Sequence, residues 1–202
     1  MKTNHTKQKV VDAASLLFFQ KGFHGTSVRD IAGRASVNVS LISYYFNGKQ
    51  GLLEYAVTNY FEMYLKKLEE ELDRHALLSD AEKLQKIIFA IIKYKTEHFQ
   101  LTSFIHRELS LDSTFVREMT VTYLAKENHL LSTLFFSVMG DENRRQHSYF
   151  YMQLKGMIMS PFILKHEWTN QMLDDQAIRH FIDNYTDTIN RWLNSIAMHK
   201  KH

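Results

Sequence analysis

Residues 39–49 read VSLISYYFNGK, a run of hydroxyls and aromatic rings with one leucine, no acid and a closing lysine. At about 100° per residue, Ile42 and Phe46 share one side of a helix. Ser40, Leu41 and Tyr44 take the opposite side, flanked by Ser43 and Tyr45. Such a face can hydrogen-bond, stack and make apolar contact without repelling phosphate. Lys49 falls at the start of the next helix, the positively polarised end that welcomes an anion.

The elements that must hold this face are short. Thr26 or Ser27 can cap a first helix, and Ser27 with Asp30 has the spacing of a capping box. Val28, Ile31, Ala32 and Ala35 recur at helical spacing, and Gly33 would let a neighbouring helix come close. Ser36-Val37-Asn38 is long enough only for a turn, with Val37 as its apolar plug. The second helix spans about residues 38–45, and Asn47-Gly48 ends it. Two helices on a three-residue turn, the second with a polar and aromatic outer face, form a helix-turn-helix whose second helix enters the DNA major groove.

Charge agrees. Residues 1–53 carry seven lysines and arginines against Asp12 and Asp30, a net of +5, while the whole chain is +3, leaving −2 for the remainder. Positive charge sits where phosphate contact requires it. The 202 residues are enough for one large or two small domains. The absence of cysteine argues against a disulfide framework and suits a reducing cytoplasm. No apolar run approaches the length of a membrane-spanning helix, and the polar N-terminus has no signal-peptide core.

One proline and seven glycines, five of them before residue 52, predict long helices through the rest of the chain. Residues 6–20 form an amphipathic helix closed by Lys21-Gly22. A long helix follows over residues 52–72. Ser79 with Glu82 starts another to about residue 99, and a shorter piece covers residues 101–109. Asp112 or Ser113 can cap a helix through residue 139. Residues 144–165, with a kink at Pro161, and residues 174–197 complete the set, ahead of a basic tail at residues 198–202. The histidines show no ligand spacing, so no metal is expected, and no cofactor either. No nucleophile elbow, P-loop or dinucleotide fingerprint occurs, so the chain is not expected to be an enzyme.

The run F-x-x-K-G-F-x-G-T-S-V-R-D-I-A, followed by V-x-V-S-L-I-S-Y-Y-F-N-G-K-x-G-L-L, resembles the DNA-binding domain of TetR-family regulators. The resemblance implies an all-α fold: a helix-turn-helix DNA-binding domain over residues 1–53, and a larger helical-bundle dimerisation and regulatory domain over residues 54–202. It implies that Thr26 and Ser27 hold a phosphate and that Arg29 reaches a base. Val39, Ser40, Leu41, Ser43 and Tyr44 match groove-facing positions, and Tyr45 and Lys49 match backbone-contact positions. The chain departs from the common family pattern, with Leu41 for a hydroxyl residue, Ser43 for an aromatic and Tyr45 for a histidine. Leu41 can pack on a thymine methyl but cannot donate to phosphate.

The last two long helices carry broad apolar faces, and a helix apolar over more than one stripe needs more than one partner. The resemblance places them in a four-helix homodimer interface, with Met157, Phe162, Phe181, Tyr185, Ile189 and Trp192 as its residues. A two-fold protein reads two-fold DNA, so the expected partner is a double-stranded inverted repeat. The protein is expected in the cytoplasm, associated with the nucleoid. The resemblance extends to family members associated with cell division, which implies a regulator acting through a cell-division protein. The alternative is a transcriptional repressor released from DNA by a small-molecule effector.

Overall fold

The computed structural model describes residues 2–110, 114–164 and 174–198, and every regular element among them is an α-helix. In chain order these are α1 (Lys2–Lys21), α2 (Val28–Ala35), α3 (Val39–Phe46), α4 (Gly48–Arg74), α5 (Asp80–Glu97), α6 (Phe99–Ser110), α7 (Thr114–Met139), α8 (Arg144–Ile163) and α9 (Asp175–Met198). The expected cap at Asp112 or Ser113, and the basic tail at residues 199–202, lie outside the described residues. The all-helical class and the N-terminal helix-turn-helix are as the sequence indicates.

Two compact units are present: Met1–Met63 with His98–Val121, and Tyr64–Glu97 with Thr122–His202. The first is built on α1, which packs against α2 and α6, while α2 packs against α3. Val10, Ala14 and Phe18 of α1 are fully buried with Ile31, Ile42, Leu52, Leu53, Val57 and Phe104. The Phe18 and Phe104 rings stack at 5.4 Å, joining α1 to α6. Arg107 of α6 grips the end of α1, donating to the carbonyls of Phe18 at 2.7 Å and Phe19 at 2.9 Å. A cation there meets the negative end of the α1 dipole.

Local signals set the boundaries of α2 and α3. Ser27 is the N-cap of α2: its hydroxyl accepts the Asp30 amide, and its own amide donates to the Asp30 carboxylate, each at 3.1 Å. A serine cap of this kind contributes about 1 kcal/mol. Asn38 caps α3 by accepting the Ser40 amide at 2.9 Å. The exit from α3 is forced by three residues. Asn47 is left-handed, Gly48 has φ +95°, and a Cβ on Gly51 would lie 1.9 Å from the Phe46 carbonyl oxygen. Only glycine lets the first turn of α4 come that close to α3. Gly33 differs from its expected role: it is exposed, and a Cβ there would meet nothing within 4 Å.

In the second unit α5 packs on α8 and α9. Ile88, Ile91, Ile92, Phe135, Leu154, Ile158, Phe162, Ile189 and Leu193 form its core. A charged pair is sunk among them: Lys95 donates to Glu127 at 3.0 Å, and its ammonium lies 5.5 Å from the centre of the Tyr64 ring. Pro161 sits inside α8 and has no N–H for the Met157 carbonyl four residues back. The Tyr185 hydroxyl of α9 takes that place, donating to the Met157 oxygen at 2.7 Å. Burial raises the Tyr185 phenol above its ordinary pKa, so it stays a protonated donor.

Candidate nucleic-acid interface

The short α2–α3 turn and the Gly51 contact fix α3 with Ile42 and Phe46 buried and its other side outward. Tyr44 is 79% exposed, and Val39, Ser40 and Ser43 are also exposed. Leu41 and Tyr45 are half-buried. The structure therefore brings the five groove-facing candidates onto one short helix. The rings of Tyr44 and Tyr45 meet edge-on at 5.0 Å, and Tyr45 continues through Phe46 to Tyr55. This aromatic chain runs from exposed Tyr44 past buried Phe46 to Tyr55, which is exposed again on α4.

Lys7 was not among the sequence candidates. Its ammonium stands 5.3 Å from the Tyr45 ring centre, so α1 supplies a cation beside the end of α3. Distance along the chain hid it, since only folding brings residue 7 to residue 45. Ser27 and Arg29 are exposed at the start of α2. The Asp30 carboxylate is held below its ordinary pKa by the Ser27 amide first and the Ser27 hydroxyl second. It remains the local anion at the capped end of α2, and the exposed Arg29 lies next to it in sequence.

Two expected phosphate contacts are held by the chain's own backbone. Thr26 is 1% exposed, and its hydroxyl donates inward to the Gly22 carbonyl at 2.8 Å. A buried donor already paired to backbone has no proton to offer an external phosphate. The Lys49 ammonium donates to the carbonyls of Phe23 and Thr26, each at 2.8 Å, and lies 4.3 Å from the centre of the Phe23 ring. It fastens the start of α4 to the turn before α2.

The expected dimer residues divide in the same way. Phe162, Phe181 and Ile189 are buried within the second unit of this single chain. Their side chains are taken up by the chain's own bundle. Met157, Tyr185 and Trp192 are half-buried, and Tyr185 is tied to Met157 and Ser160. The apolar surface that α8 does present is different: Tyr149, Met152, Met159 and Ile163, with Gly156 between them. Their spacing of three, four, three and four residues is that of a helix-pairing seam. Met152 is 65% exposed, and a Cβ on Gly156 would meet open space. Met152, Gly156 and Met159 alternate with the inward Tyr151, Leu154, Ile158 and Pro161, so α8 carries two apolar faces.

Among the described residues, no group of three or more His, Asp or Glu is placed to hold a metal ion. No helix among them is long and apolar enough to cross a membrane.

Comparison with known proteins agrees with this geometry. Residues 10–56 match the model of bacterial regulatory proteins, tetR family. The chain is 39% identical over 199 residues, 95% of its length and 93% of the relative's, to the "Probable HTH-type transcriptional regulator YttP" of Bacillus subtilis (strain 168). Over 56 residues, 28% of this chain and 30% of the relative, it is 34% identical to the biofilm operon icaADBC HTH-type negative transcriptional regulator IcaR of Staphylococcus aureus (strain Newman). The fold matches a TetR-like transcriptional regulator from Rhodococcus sp. RHA1 with TM-score 0.69 at 18% identity, covering 93% of each chain. With its helix-turn-helix matched by the family model and nearly its whole length aligned to one regulator, this chain belongs to the TetR family of DNA-binding transcriptional regulators.

Proposed function

We propose that the protein is a transcriptional repressor that binds an inverted repeat as a homodimer, with residues 1–53 as the DNA-reading head. The observation that carries the reading is α3 itself: a helix anchored by Ile42 and Phe46, with an acid-free outer face led by Tyr44. Ser27, Arg29, Val39, Ser40, Leu41, Ser43, Tyr44 and Tyr45 are its DNA contacts, joined by Lys7. The second copy docks on the α8 seam around Gly156, where no side chain keeps two helices apart.

Release by a small-molecule effector is the reading with support in the larger unit. An ion pair buried in an apolar bundle is expensive to desolvate and sensitive to any polar group that joins it. Lys95 and Glu127 are such a pair. In the same unit the hydroxyl of Thr96 and the side-chain carbonyl of Asn190 are buried without a hydrogen-bond partner among the described residues. These are polar atoms that an effector could satisfy. Action through a cell-division protein rests on the resemblance alone.

Mapping the binding positions across the genome tests both readings. Occupancy of one or two promoters supports the repressor. Sites at fixed chromosomal positions away from promoters would replace it with the cell-division role.

A further inference from the structure

The outer face of α3 lacks the side chains that usually read bases. Its sequence, VSLISYYF, contains no arginine, lysine, asparagine or glutamine. Guanine is most often read by a bidentate arginine or lysine, and adenine by asparagine or glutamine. Of the flanking asparagines, Asn38 has its carbonyl oxygen taken by the Ser40 amide at 2.9 Å and the Ser40 hydroxyl at 2.8 Å. That second bond also spends the Ser40 proton. Asn47 lies past the helix end in a left-handed cap.

What α3 does present is apolar surface. Val39 is 41% exposed, Leu41 is half-exposed and the Tyr44 ring stands 79% exposed. In the major groove the apolar feature that distinguishes one base pair from another is the C5 methyl of thymine. The excess of positive charge in residues 1–53 holds the helix to the phosphates without specifying sequence.

Resting on the assignment of α3 as the recognition helix, we propose that Val39, Leu41 and Tyr44 are specificity-determining residues that read thymine methyl groups. Each half-site is then defined by where its thymines stand. Arg29, exposed on α2, supplies a guanidinium for a guanine contact.

The probe is a duplex selected by the full-length protein from a randomised pool, then resynthesised with deoxyuridine in place of thymidine. This removes the methyl groups and leaves pairing and phosphates unchanged. One lost methyl should weaken binding about fourfold, and one lost from each half-site about fifteenfold. The salt dependence should not change. Val39→Ala, at an exposed position, should shrink the penalty at its thymine, and Leu41→Ala should do so at another. Equal affinity for the thymine and uracil duplexes overturns the inference and leaves the assignment of α3 standing. Selected half-sites without thymine overturn it equally. A pool that yields no enriched duplex removes the assignment of α3 and the inference together.

Discussion

The Lys49 ammonium donates to the Thr26 carbonyl oxygen at 2.8 Å, across 23 residues of sequence. A second bond of the same length reaches the Phe23 carbonyl, so α4 is tied to the turn that enters α2. Hydrogen bonds to a charged group contribute about 1.5–3 kcal/mol each. Lys49→Met should lower the stability of the full chain by about 2 kcal/mol in urea unfolding. The slope of log affinity against log salt should stay as it was. Lys7→Ala should do the opposite, costing about one unit of that slope and little stability. A Lys49→Met protein with normal stability and a shallower slope would return the lysine to phosphate.

Tyr44 separates reading from folding. Its ring is mostly solvated, so Tyr44→Ala should change stability by no more than about 0.5 kcal/mol. Specific DNA binding should nevertheless be lost. Gel-shift titration beside a thermal melt checks both halves, and an unaltered operator affinity would rule out this face as the reader.

For the dimer, two substitutions should fail in different ways. Ile189→Asp places a carboxylate where the chain's own core is 1% exposed. Burying an unpaired charge costs several kcal/mol, so this variant should lose helical circular dichroism. Met152→Glu lies on the open seam of α8 and should stay folded while sedimenting as a monomer. If Met152→Glu remains dimeric, the second copy sits on another face.

Acid should loosen two capping boxes. The Ser27 amide and hydroxyl depress the pKa of Asp30, and the Ser79 hydroxyl and amide depress that of Glu82. A carboxylate with a lowered folded pKa stabilises fully above its unfolded pKa and loses that contribution as pH falls through the folded one. The urea midpoint should therefore drop below the ordinary carboxylate range. It should drop less steeply in the Asp30→Asn, Glu82→Gln double variant. Parallel curves for the two proteins would mean the caps do not contribute.

What could be read from the sequence was local. The ends of α2 and α3, the inward pair Ile42 and Phe46 and the outward Tyr44 follow from capping spacing and helical period, which act within a few residues. The destinations of polar side chains were less legible. Thr26 and Lys49 carry the same groups whether they face phosphate or a carbonyl, and folding decides which. The apolar stripes of α8 and α9 posed a similar ambiguity, because an isoleucine such as Ile189 serves its own bundle or a second copy equally well. Lys7 shows the converse: its position beside Tyr45 has no signature in either segment.

Pro161 leaves α8 unable to complete its own ladder, and Tyr185 finishes it from α9. The last turns of α8 thus depend on a hydroxyl 28 residues downstream of Met157. If either helix end opens alone, the Tyr185 bond is lost and the part-buried Met157 carbonyl keeps only the Ser160 hydroxyl at 3.3 Å. Amide hydrogens at the end of α8 and around Tyr185 should then exchange with solvent as one cooperative unit. Tyr185→Phe should split that unit in two, the end of α8 exchanging first.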